Sequence, residues 1–149
     1  GAELSEIAVQ QLFVELGMEP SIVELGTIRH YRGQKIDIFV GDIFQVSREM
    51  LSPVDAVYDR AALVALPAEV RQRYPAHLME ITATAPQLLI CYEYDQALQA
   101  GPPFSVGRKE LHRHYRESYR LTLLDSADVA GGLKGKCPAK ENVWLLNKR

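Results

Sequence analysis

The chain has 149 residues, within the ~100–200 usual for one domain, so a single domain over 1–149 is expected. Apolar residues make up 47% and charged residues 24%, near the globular average, which excludes a disordered, collagen-like or coiled-coil chain. Seventeen Lys+Arg against nineteen Asp+Glu give a net charge of -2 with no block of like charge, so no nucleic-acid partner is expected.

Ser5 reads as a helix N-cap with Glu6 in the first turn, and Ile7, Ala8, Leu12, Phe13 and Leu16 recur at helical spacing. The spacing predicts a helix over 5–16 that Gly17 ends. Two short β-type runs follow, Ser21–Leu25 and Thr27–Arg32, parted by Gly26. After the Gly33-Gln34 turn, Lys35–Val40 alternates with the period of a strand and stops at Gly41-Asp42. Residues 45–53 form a polar connection closed by Pro53. Val54–Tyr58 reads as a short strand with Asp59-Arg60 directly after it.

The longest apolar run, Ala61 to Ala68, falls far short of the ~20 residues that span a bilayer, so no membrane partner is expected. No secretory signal is expected either, since Glu3 and Glu6 sit where a basic segment would be. Pro67 suits the first position of a helix running to about Ala83, with Val70, Tyr74, His77, Leu78 and Ile81 on one face and Pro75 inside the pattern. Gln87–Tyr92 is a continuous apolar strand followed by Glu93-Tyr94-Asp95, and a loop then carries Gly101-Pro102-Pro103-Phe104. Gly107–Ser118 reads as an exposed, charged helix. Tyr119–Leu124 and Asn142–Asn147 read as strands, and 125–141 as a mobile surface loop. Cys91 reads as a small buried hydrophobe and Cys137 as a loop residue, so a reducing, cytoplasmic setting is expected.

Strands alternating with helices make an α/β pattern, which implies a mainly parallel sheet with helices on both faces. Ligands then bind beyond the carboxyl ends of the strands. That rule selects Glu3, Gly41-Asp42, Asp59-Arg60, Glu93 to Asp95 and the loop to Phe104. Glu3 is either a carboxylate accepting from both ribose hydroxyls of a nucleotide or a solvated acid at a helix start. Asp42 either meets an adenine amino group or caps the next segment. Asp59-Arg60 is either an ion pair at a strand end or a pair in which Arg60 stabilises an anion beside the ligand. His112 and His114 lie two apart on a helix and cannot chelate one metal, so no metal is expected. No G-x-S-x-G motif, Cys/His nucleophile pair or P-loop is present.

Taken together, Tyr58-Asp59-Arg60-Ala61-Ala62-Leu63-Val64-Ala65-Leu66-Pro67, Tyr92-Glu93-Tyr94-Asp95-Gln96 and Gly101-Pro102-Pro103-Phe104 closely resemble the thiopurine S-methyltransferase family, most of all its bacterial members. Gly1-Ala2-Glu3-Leu4-Ser5 and Gly41-Asp42-Ile43-Phe44 fit the same family in the same order, and 125–141 is the weakest match. The resemblance implies a Rossmann-like class I fold and an enzyme that transfers a methyl group from S-adenosylmethionine. The implied acceptor is the sulfur of an aromatic or heterocyclic thiol, and some bacterial members act on selenium or tellurium species. On the matching positions it implies Glu3, Leu4, Asp42, Ile43 and Arg60 for the cofactor, Arg60, Pro103 and Phe104 for the acceptor, and Arg60 for catalysis.

In that family a first strand with its glycine-containing cofactor loop, and an aromatic-rich lid, precede the Glu3 motif. The resemblance thus implies a domain shortened at its N-terminus by the lid and a βα unit of roughly 30 residues. An unpaired sheet edge would then favour a homodimer. A competing reading is a non-catalytic remnant of the fold that dimerises and at most binds nucleotide. A dinucleotide-dependent dehydrogenase is disfavoured, because it gives the Asp-Arg and Pro-Pro-Phe motifs no role.

Overall fold

The structure, a computed structural model, describes residues 1–149 and divides into two units, Gly1–Met50 and Leu51–Arg149, each with its own four-stranded sheet. In the first unit a two-residue strand β1 (Ala2–Glu3) leads into helix α1 (Glu6–Glu15), followed by β2 (Ser21–Leu25), β3 (Ile28–Gly33) and β4 (Ile36–Val40). Ser5 caps α1 as expected, its Oγ accepting the Ala8 N–H at 3.3 Å. Helix α1 buries Val9 and Phe13 against Tyr31, Ile38 and Val40, with Leu12, Met18 and Ile36 at the margin. Its first acid, Glu6, is held by the Arg29 guanidinium at 2.7 Å and the Tyr31 hydroxyl at 2.6 Å.

The second unit runs β5 (Val57–Arg60), α2 (Ala62–Ala65), α3 (Ala68–Ile81), β6 (Gln87–Tyr94), α4 (Arg108–Tyr115), β7 (Tyr119–Asp128) and β8 (Ala139–Lys148). Leu89, Cys91, Trp144 and Leu146 from the sheet are buried, as are Leu63, Tyr74, Leu78, Leu111 and Tyr115 from the helices.

The sheets are mixed rather than mainly parallel. Their orders are β1-β4-β3-β2 and β5-β6-β8-β7, and only β1·β4 and β5·β6 pair in parallel. The reason lies in the connections. Two residues join β2 to β3 and two join β3 to β4, whereas a parallel neighbour needs a crossover of a dozen or more. In each sheet three strands still share one direction and a single strand is reversed, β3 in the first and β8 in the second.

Three other expectations are corrected. Strand β5 starts at Val57 and includes Asp59 and Arg60, which were expected to follow it. The expected mobile loop 125–141 is largely sheet, because β7 continues to Asp128 and β8 begins at Ala139. Within its turn Leu133 and Cys137 are buried with Ala139 against Tyr92, Tyr94 and Val129. Helix α4 is shorter than expected and not simply exposed, since it buries Leu111 and Tyr115. No helix is long and apolar enough to cross a membrane.

Candidate active site

In the first unit the parallel pairing sets Glu3 opposite Val40, and the Gly41 N–H donates to the Glu3 carbonyl at 2.9 Å. Two of the sequence candidates, Glu3 and Asp42, thus sit at adjacent carboxyl ends of neighbouring strands. Both side chains also serve their own backbone. Glu3 Oε1 accepts the Ser5 N–H at 2.8 Å, and Asp42 Oδ1 accepts the Phe44 N–H at 3.0 Å, capping a single 3₁₀ turn, Ile43–Gln45. The capping role expected for Asp42 is present, and each carboxylate keeps its second oxygen to accept from another donor. Leu4, between the strand and the helix cap, is 75% exposed, while Ile43 is partly buried.

In the second unit Asp59 and Arg60 point to opposite faces of β5 and form no ion pair, so the strand-end pair is corrected. Asp59 is buried, accepting the Leu63 N–H at 3.2 Å and the Tyr74 hydroxyl at 2.9 Å. Burial pushes its carboxyl above the ordinary aspartate value, and these donors oppose that shift without cancelling it. Arg60 is exposed, and its side chain makes no hydrogen bond or ion pair within the protein. Its charge reaches Tyr92, whose phenol is pushed up by burial and by Glu141 while Arg60 pulls the other way. Between the strand and α2, Ala61 takes the left-handed conformation with φ +73°.

The loop Gly101–Phe104 is fixed on several sides. The Phe104 N–H donates to the Val64 carbonyl at 2.6 Å, the Tyr94 hydroxyl to the Pro103 carbonyl at 2.7 Å, and the Lys134 ammonium to the Pro102 carbonyl at 2.6 Å. Gly101 is required here, because a Cβ on it would come within 2.6 Å of the Phe104 ring. No hydrogen bond or ion pair joins Arg60 to this loop.

Tyr94, Arg71 and Lys134 are the supporting residues that the sequence reading missed. Tyr94 stands in a quoted motif without a role, and Lys134 offered no signal. Arg71 did offer one, since it lies three residues before Tyr74 on the buried stripe of α3. A cation on an apolar stripe implies a buried partner.

The profile of the thiopurine S-methyltransferase family matches residues 1–149, the whole chain. The chain belongs to the thiopurine S-methyltransferase family. A thiopurine S-methyltransferase of Xanthobacter autotrophicus is 54% identical over 148 residues, covering 99% of this chain and 70% of that protein. Those of Gluconobacter oxydans and Teredinibacter turnerae are 47% and 48% identical, each over 99% of this chain and over 67% and 69% of their own lengths. The family assignment made from the motifs is therefore correct, and membership places the chain among methyltransferase enzymes.

Proposed function

We propose that the chain is an S-adenosylmethionine-dependent S-methyltransferase acting on an aromatic or heterocyclic thiol, with both units belonging to one Rossmann-like class I domain. The observation that carries this reading is the meeting of Glu3 and Asp42 at adjacent carboxyl ends of a parallel pair, in a chain that the family matches over residues 1–149. The donor chemistry fits an adenosine, because ribose hydroxyls and an adenine amino group are donors and each carboxylate has an oxygen left to accept. Leu4 and Ile43 add apolar surface beside these acids.

S-adenosylmethionine, when bound, supplies the activated methyl group. Arg60 brings a guanidinium with no internal anion to neutralise it, so it favours the thiolate form of an acceptor sulfur. Pro103 and Phe104 hold a rigid wall that orients an aromatic acceptor and sheds water, which is most of what an in-line methyl transfer asks of a protein. The buried, unpaired thiols of Cys91 and Cys137 agree with a reducing compartment, the cytoplasm.

The test is calorimetric titration of the chain with S-adenosylhomocysteine, followed by methyl transfer to a thiopurine in the parent and in Arg60→Ala. Micromolar binding is expected, with kcat/KM in the variant lowered about tenfold or more, the effect of roughly one pKa unit on the acceptor thiol. A parent chain that neither binds nor transfers would overturn the reading. Unchanged kinetics in the variant would remove Arg60 from the site.

A further inference from the structure

Arg71 is the one buried cation of the second unit, with 6% of its surface exposed. Its guanidinium edge is committed to the protein. Nη1 donates to the Leu66 carbonyl at 2.6 Å, and Nε and Nη2 donate to the two Glu110 carboxylate oxygens at 2.7 and 3.4 Å. One of these oxygens, Oε1, lies 3.4 Å from His114 Nε2. The guanidinium also lies over the Phe104 ring, 5.4 Å from its centre. The same ring packs on Gly101, and its backbone N–H is tied to Val64. One side chain therefore links the start of α3, helix α4 and the aromatic ring of the Gly101–Phe104 loop.

We propose that Arg71 is a positioning residue that sets the orientation of Phe104, and through it the fit of the acceptor. The proposal rests on the reading of Pro103 and Phe104 as the acceptor wall. Only a planar fork can satisfy Leu66 and both Glu110 oxygens along its edge while offering a flat face to a ring. A lysine keeps the charge and loses that geometry. Glu110 makes the buried charge tolerable, because a guanidinium without a carboxylate at this depth would be strongly destabilising.

The experiment compares the parent with Arg71→Lys, Phe104→Leu, the double variant and Glu110→Gln, the last disturbing the clamp while leaving Arg71 in place. Four quantities are read in each: KM and kcat for an aromatic thiol, the Kd for S-adenosylhomocysteine, and amide exchange at Phe104 and Ser105. Arg71→Lys and Glu110→Gln are expected to raise the acceptor KM about fivefold to tenfold, between the exposed and the desolvated scale of one cation–π contact. The cofactor-product Kd should stay within about twofold, since none of its proposed contacts involves this network. The double variant should be no worse than the more affected single one, and exchange at Phe104 and Ser105 should speed up.

An unchanged KM, multiplicative effects in the double variant, or a Kd that moves with KM would overturn the proposal. If the parent fails to transfer methyl at all, the functional reading fails by itself. Amide exchange then decides the role of Arg71, since unchanged protection in Arg71→Lys and Glu110→Gln would show that it does not hold the loop.

Discussion

Asp59 is a carboxylate placed where hydrocarbon is expected, beside Leu63, Leu89 and Cys91, all fully buried. It serves the turn that carries Arg60. By accepting from Leu63 and Tyr74, it fastens the first turn of α2 and α3 to the end of β5. Its raised pKa fixes the sign of a pH effect. Between the ordinary aspartate value of 3.8 and the raised folded value, the unfolded chain is ionised first, so the acid form favours folding. Measured by urea unfolding, the parent should lose stability relative to Asp59→Asn as pH rises through that window, and hold a constant difference above it. Asp59→Ala leaves the Tyr74 hydroxyl and a backbone N–H buried without an acceptor and should cost about 1–3 kcal/mol for each, with the loss greatest below the window. A flat Asn difference across the window would show that Asp59 ionises as freely folded as unfolded. At this scale the sequence was legible where a residue acts through its neighbours in the chain, as Ser5, Glu3 and Asp42 do. It was not legible for Asp59, whose partner Tyr74 is fifteen residues away on helix α3.

Among the elements, the hairpin of β7 and β8 departs most from expectation. Its turn is rich in glycine and lysine, a composition that reads as solvated chain, yet it closes on a small apolar cluster of Leu133 and Cys137. The Leu133 N–H donates to the Cys137 carbonyl at 2.8 Å, and a side chain on Gly132 would meet that carbonyl oxygen at 2.6 Å. Gly131 has a similar backbone, φ +74° against +76°, but open space around it. Gly131→Ala should therefore cost only the left-handed strain, about 1 kcal/mol, and Gly132→Ala more, by roughly 1–3 kcal/mol of overpacking. Thermal or urea unfolding of the two variants checks the difference, and equal losses would mean that the turn yields at Gly132. The strands were legible from short β-type and apolar runs, with alternation over Lys35–Val40, and their number came out nearly right. Their directions were misjudged because the lengths of the connections were not weighed: Gly26-Thr27 and Gln34-Lys35 leave room only for hairpins.

For the molecule as a whole, part of the response to acid follows from two glutamates that share no partner. Glu6 is held below its ordinary range by hydrogen bonds from Tyr31 and Arg29. At Glu110 burial acts upward, but the Arg71 bond and charge, aided by His114, outweigh it and leave the carboxyl lowered. Both groups stabilise the fold above the ordinary glutamate value of 4.5, and that contribution is lost as pH falls through their folded values. The parent should unfold more steeply below pH ~4.5 than Glu6→Gln or Glu110→Gln, with the double variant flattest and the two effects adding. Circular dichroism against pH reads this directly, and an unaltered acid limb in either variant would show that its glutamate is not linked to folding.

The reversed direction of β8 has a consequence of another kind. Because Ala139 pairs with Tyr94 and Lys140 with Asp128, the turn between β7 and β8 emerges on the same rim as the carboxyl ends of β5 and β6. There Lys134 reaches Pro102, and Tyr94 packs against the cluster of that turn while its hydroxyl holds Pro103. The turn thus behaves as an interchangeable part. A change of charge or side chain at its exposed positions, Lys134, Lys136 and Pro138, leaves both strands as they are. Each change would still be felt where the acceptor is proposed to lie, so new thiols could be admitted by rewriting ten residues that perform no chemistry.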